Sequence, residues 1–211
     1  EAIVTLEEIE KIQKDRIDCH LLAHELGRYS YDFYNDASKA YSQCSFICFS
    51  GCLHGVLESA IAKDESYLNN LDKLCKLTDS KRDFNNFQCL HGTGHGLMDY
   101  FGLDVLKSVK QCDTLPTEWD QESCYGGVFM ENIVFSMRSG ETPKFLNPSD
   151  PLFPCNSDII EEKYKRQCFW IQTSYVLFVN RFDYADTAEK CRQLEYPYIE
   201  YCFHSLGRDI S

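Results

Sequence analysis

The chain has 211 residues, 44% of them hydrophobic and 14% aromatic, which is enough to bury a sizeable core. Its 21 basic and 33 acidic residues give a net charge of −12, which repels nucleic acid and anionic lipid and favours cations or basic partners. No stretch approaches the roughly 18 to 20 continuous apolar residues of a membrane span, so neither nucleic-acid binding nor membrane insertion is expected.

After a predicted leading helix over residues 1–14, six segments recur at intervals of 30 to 44 residues, a spacing typical of two-helix repeats. We call them inner helices. The first begins at Asp18, and each of the others begins at a cysteine that small and aromatic residues follow. These cysteines are Cys48, Cys89, Cys124, Cys168 and Cys202.

Shorter amphipathic stretches lie between the inner helices, and each begins with a residue suited to capping a helix N-terminus. These predicted outer helices are Asp36–Cys44, Ser66–Cys75, Asp104–Cys112 and Asp183–Cys191. The fourth repeat differs, because four prolines after Ser139 predict a long loop over residues 139–160 in place of an outer helix. The pattern therefore predicts a single all-α domain, 1–211, of about six disulfide-stapled helical hairpins, wound as a short solenoid or a closed α/α ring.

Twelve cysteines are far above ordinary usage, and no Cys-x2-Cys pair of the kind that binds zinc occurs among them. Disulfides are the better interpretation, and they predict a secreted or otherwise extracytoplasmic protein. Four pairs join the end of a predicted outer segment to the next inner helix: Cys75–Cys89, Cys112–Cys124, Cys155–Cys168 and Cys191–Cys202.

The pairing of the remaining four cysteines stays open, since three connectivities are possible. Repeat logic weakly favours Cys44–Cys48 with Cys19–Cys52. A less favoured alternative leaves two of the four free to join a metal site.

Seven glycines lie in inner segments, although a glycine inside a helix costs roughly 0.5 to 1 kcal/mol relative to alanine. Close approach of neighbouring helices would compensate for that cost. The alternative is that His91-Gly-Thr-Gly-His95-Gly is a loop.

Five of the six histidines lie in three segments that share one pattern. The segments are Asp18-x-His20-x3-His24-x3-Arg28, Cys48-x-Ser50-x3-His54-x3-Glu58 and Cys89-x-His91-x3-His95-x3-Asp99. Residues four apart share one stripe of a helix, so three such stripes can converge on one small volume. The fourth and fifth repeats carry apolar or small residues at these positions. If the repeat were purely structural, all copies would be expected to carry similar residues there.

The predicted metal ligands are His20, His24, His54, His91, His95, Glu58 and Asp99, arranged as one site with supporting carboxylates or as a two-metal site. Imidazole ligands favour a transition metal ion, namely zinc, copper or iron. Glu25 and Glu131 are candidate general bases near a metal-bound water.

The sequence thus predicts an extracytoplasmic transition-metal-binding helical-repeat protein, and a metalloenzyme is one form of it. Two alternatives stay open. One is a non-catalytic repeat scaffold that binds a protein or small-molecule ligand, with the histidines hydrogen-bonded in its core, and the other is a metal carrier.

Overall fold

The computed structural model describes residues 16–75 and 84–210, with side chains from Cys19 onward, and within these ranges the chain is helical and contains no strand. The all-α prediction is therefore confirmed for the described residues. The predicted leading helix over residues 1–14 lies outside them. The described part of the chain also contains no helix with the length and apolar character needed to cross a bilayer.

Six long helices correspond to the predicted inner helices in the described ranges. They are α1 (Arg16–Tyr34), α3 (Gly51–Lys63), α5 (Phe84–Tyr100), α7 (Glu118–Ser139), α8 (Glu162–Val179) and α10 (Tyr198–Ile210). Shorter elements lie between them: α2 (Ala37–Ser42), a 3-10 turn (Ile47–Ser50), a second 3-10 turn (Glu65–Asn69), α4 (Leu71–Cys75), α6 (Val105–Cys112) and α9 (Tyr184–Arg192).

Three of the four predicted outer helices begin as expected, at an aspartate. The carboxylates of Asp36, Asp104 and Asp183 each accept a hydrogen bond from the backbone N–H three residues later, which satisfies one free donor of the first turn. The stretch predicted to begin at Ser66 is different. It starts as the 3-10 turn capped by Asp64, and α4 follows as a separate short helix.

Each long helix packs against the next one along the chain, from α1 on α3 through to α8 on α10. The His91-Gly-Thr-Gly-His95-Gly segment lies inside α5, so the helical interpretation is correct and the loop alternative is wrong. This succession brings the three histidine-bearing helices, α1, α3 and α5, side by side. The six-hairpin repeat and its winding as a solenoid or ring stay predictions.

The proline-rich segment between α7 and α8 contains no helix, as predicted, and it covers these two helices. Its Phe145, Leu146 and Ile160 are buried in the main core. Two buried amides hold its backbone: Asn132 donates to the Phe145 carbonyl at 2.9 Å, and Gln172 donates to the Pro151 carbonyl at 2.8 Å.

All twelve cysteines form disulfides, so the alternative that two are free is wrong. The four pairs predicted from spacing are present: Cys75–Cys89, Cys112–Cys124, Cys155–Cys168 and Cys191–Cys202. The favoured pairing of the other four is wrong, because the bonds are Cys19–Cys48 and Cys44–Cys52.

A left-handed turn explains this difference. Cys48, Phe49 and Ser50 have φ angles of 55°, 53° and 64°, so the chain reverses just before α3. Cys48 then lies against α1, beside Cys19, while Cys52 in the first turn of α3 faces Cys44.

Glycines allow the long helices to approach one another closely. A Cβ atom on Gly55 of α3 would lie 2.0 Å from the His24 carbonyl oxygen of α1, and one on Gly127 of α7 would lie 1.9 Å from the His91 carbonyl oxygen of α5. Because these are backbone contacts, no side-chain rotation can relieve them. Gly55 thus lets α3 approach α1, and Gly127 lets α7 approach α5.

We expect Gly127→Ala to destabilise the fold by about 1 to 3 kcal/mol or more, because α5 and α7 must move apart. Gly207→Ala is the matched control, since a Cβ there meets no atom of the described residues within 4 Å, and it should be neutral or stabilise α10 by up to about 1 kcal/mol. Thermal unfolding followed by circular dichroism measures both changes. Equal melting temperatures for the two variants would show that the close approach is not required.

Candidate metal centre

The five histidines predicted from the repeat come together in one cluster, which we call the histidine cluster: His20, His24, His54, His91 and His95. Helix α1 supplies two of them, α3 one and α5 two. The His24 and His54 ring centroids lie 5.4 Å apart, and the His54 and His95 rings stack at 5.0 Å. Four of the five rings are buried, and His20 is half-buried at the edge.

Two groups of potential donor atoms lie in and beside the histidine cluster. Ring nitrogens of His20, His24 and His54 lie within 4.8 Å of one another. The second group consists of donor atoms of Glu58, His95 and Glu131, which also lie within 4.8 Å of one another. Each group has the number of side-chain ligands that a metal site requires.

The carboxylate of Glu58 fixes the orientation of the His24 ring. Glu58 Oε1 lies 2.7 Å from His24 Nδ1, and Arg28 donates to Glu58 Oε2 from Nε at 2.9 Å. Burial alone would raise the pKa of Glu58, but the charges and hydrogen bonds of His24 and Arg28 outweigh it and lower the pKa to about 2. The ionised carboxylate can only accept, so Nδ1 of His24 carries the proton and its Nε2 faces the other way.

His20 has the same proton arrangement for a different reason. Its Nδ1 lies 2.8 Å from the Cys48 carbonyl oxygen, which can only accept, so Nδ1 donates. In the neutral ring, Nε2 then carries a lone pair. The Nε2 atoms of His20 and His24 lie 3.0 Å apart.

Two lone pairs therefore face each other when both rings are neutral. Only a proton on one ring or a cation bound to both nitrogens removes this repulsion. Two nitrogens 3.0 Å apart, each about 2.0 to 2.1 Å from one ion, subtend an angle of about 90 to 100° at that ion. The spacing thus matches two adjacent ligands of a single metal ion.

In the part of the chain that the structure describes, three further rings of the histidine cluster have a buried nitrogen with no hydrogen-bond partner, and one of these nitrogens is His91 Nδ1. His54 Nε2 lies 3.1 Å from Gln88 Oε1, while His54 Nδ1 has no partner. His95 Nδ1 lies 2.7 Å from Glu131 Oε2, while His95 Nε2 has none. A buried polar atom without a partner costs roughly 1 to 3 kcal/mol, and metal coordination would remove that cost.

Burial keeps most of the rings in the form that binds metals. It lowers the pKa of His20 to about 4 and that of His95 to about 3, with the nearby His24 as a second cause in each case. The pKa values of His54 and His91 also lie well below 6.5, chiefly through burial. Neutral imidazoles are the form that metal ions require.

The two candidate general bases occupy different environments. The side chain of Glu25 is 66% exposed and pairs with Arg28 at the surface. Glu131 is buried against His95, and burial followed by the charge of Glu58 raises its pKa to about 7. Of the two, Glu131 is the one that lies beside the histidine cluster.

The predicted carboxylate ligands also differ. Glu58 is buried, and its two oxygens bind His24 and Arg28, so it orients the His24 ring. Asp99 is exposed, and neither donor group includes it. The sequence interpretation missed Gln88 and the Glu131–His95 contact, because both contacts join different helices outside the repeat register.

The lowered pKa values predict how metal binding depends on pH. We expect Zn²⁺ affinity to persist at about pH 5.5, where a free imidazole is largely protonated, and to disappear as the pH falls through about 4, where His20 takes up a proton. Competition titrations across this range measure it. Loss of binding near pH 6.5 would contradict the expectation.

The same shifts affect the stability of the metal-free fold. His20 has a folded pKa of about 4 against 6.5 for the unfolded chain, so the unfolded state binds more protons between these values. Its contribution to stability is therefore present above pH 6.5 and is lost as the pH falls towards 4.

No family model matches the chain, and no curated protein and no solved structure is significantly similar to it. The described residues hold a cluster of histidines and carboxylates together with six disulfides, a combination compatible with extracytoplasmic metal binding.

Proposed function

We propose that this protein binds a transition metal ion in an extracytoplasmic compartment, with His20, His24 and His54 as ligands. The observation that carries the proposal is the 3.0 Å distance between His20 Nε2 and His24 Nε2. The Nδ1 atom of each ring donates a hydrogen bond elsewhere, so neither Nε2 carries a proton in the neutral rings. The Glu58 carboxylate orients His24, as carboxylates commonly do for metal-bound imidazoles. His95, whose Nδ1 lies 2.7 Å from Glu131 Oε2, has a further nitrogen beside this group.

The donor types support zinc, copper or iron. Imidazole suits all three metals, whereas magnesium and calcium prefer oxygen ligands throughout. All twelve cysteines are oxidised, so thiolates do not take part. Six disulfides also support the proposed compartment, because such bonds persist where the environment is oxidising.

Glu131 supports a second candidate function, that of a metalloenzyme. A buried carboxyl group with a pKa of about 7 can accept or release a proton near neutral pH. It can therefore act as the general base that takes a proton from a metal-bound water. A metal-dependent activity that Glu131→Gln abolishes while Zn²⁺ still binds would support the enzyme. If no activity depends on metal, a carrier or storage role is favoured.

Metal analysis tests the proposal directly. Protein purified without chelator should contain zinc, copper or iron, and protein stripped with a chelator should rebind Zn²⁺ in a calorimetric titration. His204→Ala is the matched control, because His204 is exposed on α10 and belongs to neither donor group. Stripped protein that binds none of the three metals would refute the proposal and favour the protein-binding scaffold.

A further inference from the structure

A methionine lies at the edge of the histidine cluster, on the helix after the three that carry the histidines. Met130 of α7 occupies the register of His54 and His95 in the preceding repeats, and its Sδ lies 3.4 Å from His91 Nε2. Met130 is half-buried and His91 is buried. A thioether sulfur is a weak hydrogen-bond acceptor but a good ligand for soft metal ions.

The distance between these atoms fits a shared metal ion. With a metal–nitrogen bond of about 2.0 Å and a metal–sulfur bond of about 2.3 Å, a separation of 3.4 Å corresponds to an angle of about 104° at the metal. That angle is close to tetrahedral. His91 belongs to neither of the two donor groups described above, so its pair with Met130 lies outside them.

The rest of the His91 environment is consistent with coordination through Nε2. Among the described residues no atom meets hydrogen-bond geometry with its Nδ1, while the backbone of Ser123 partly offsets the lowering of the His91 pKa by burial. His95, whose buried Nε2 has no partner, has its ring centroid 5.1 Å from that of His91 and can contribute a third ligand.

We infer that His91 and Met130 form a second metal position in the histidine cluster, selective for copper(I). This inference rests on the proposed function, since it adds a soft donor to the same cluster. Thioether sulfur with neutral imidazole suits copper(I), whereas the usual zinc ligands in proteins are thiolate, imidazole and carboxylate. No thiolate competes for the ion, because every cysteine is in a disulfide.

The test is a titration of stripped protein with copper(I) under anaerobic conditions, in competition with a chromogenic copper(I) chelator. We expect Met130→Leu to weaken copper(I) binding roughly ten-fold or more and to leave Zn²⁺ affinity within about twofold. Met137→Leu is the matched control, because it makes the same change two turns later on α7, where Met137 packs against the core. It should alter neither affinity.

X-ray absorption provides a second readout that a change in packing would not produce. The copper(I) form of the wild-type protein should show a sulfur neighbour at about 2.3 Å, and Met130→Leu should lack it. Unchanged copper(I) affinity in Met130→Leu, or a copper(I) form without sulfur, would overturn the second position. The proposed function would still stand if Zn²⁺ binding depends on His24, and it fails separately if no metal binds.

Discussion

Replacing His24 with alanine is expected to weaken Zn²⁺ binding more than roughly 100-fold. Loss of a residue that only orients a metal ligand typically lowers metal affinity by about 10- to 100-fold, and His24 is a proposed ligand. The variant loses one of the two facing nitrogens and the hydrogen bond between Glu58 and His24. Competition with a chelator of known Zn²⁺ affinity measures the change. Wild-type affinity in His24→Ala would exclude this ring as a ligand.

Two further variants separate the loss of a ligand from a fault in folding. Glu58→Gln keeps the shape of the side chain but removes the charge that fixes His24 Nδ1 as a donor, so we expect a decrease of about 10- to 100-fold. His204→Ala should leave the affinity unchanged. If all three metal-free proteins melt cooperatively and only the first two bind weakly, the effect belongs to the site.

Reducing all six disulfides is expected to unfold the domain. Four of them close intervals of 11 to 14 residues, and each such loop contributes about 3 kcal/mol by the loop-entropy estimate. Together the four contribute about 12 kcal/mol, which is within the range of about 5 to 15 kcal/mol that is typical of the free energy of unfolding of a whole domain. Circular dichroism with and without a phosphine reductant measures the loss of helix.

Thiol labelling of the denatured protein accompanies this measurement. It should modify no cysteine before reduction and all twelve after it, since all twelve are paired. Cooperative melting near the wild-type temperature after full labelling would show that packing alone holds the fold. Extensive labelling before reduction would contradict the proposed oxidising compartment.

Much of the fold could be predicted from spacing, because the relevant contacts are local in sequence. In four disulfides, a cysteine at the end of one short segment pairs with a cysteine 11 to 14 positions later, at the next long helix. These four pairs could be predicted from the sequence spacing alone. The histidine stripes followed from the helical period. Residues such as His91 and His95 share a face only if α5 is a helix, which it is.

Other features depend on geometry that the sequence pattern does not contain. The pairing of Cys19 with Cys48 results from three consecutive left-handed residues, and nothing in Cys48-Phe-Ser marks such a turn, since glycine or asparagine usually provides it. The contact of Glu131 with His95 likewise depends on how far α7 is rotated against α5. A single sequence shows the period of a helix but not its rotation.

The most direct test of metal binding by His20 and His24 is an anomalous difference map, measured at the zinc absorption edge from crystals of protein reconstituted with Zn²⁺. We expect a peak between His20 Nε2 and His24 Nε2, about 2.0 to 2.1 Å from each nitrogen, with the His24–Glu58 hydrogen bond retained. A map with no peak between these two nitrogens, or with zinc bound only to surface carboxylates, would contradict it.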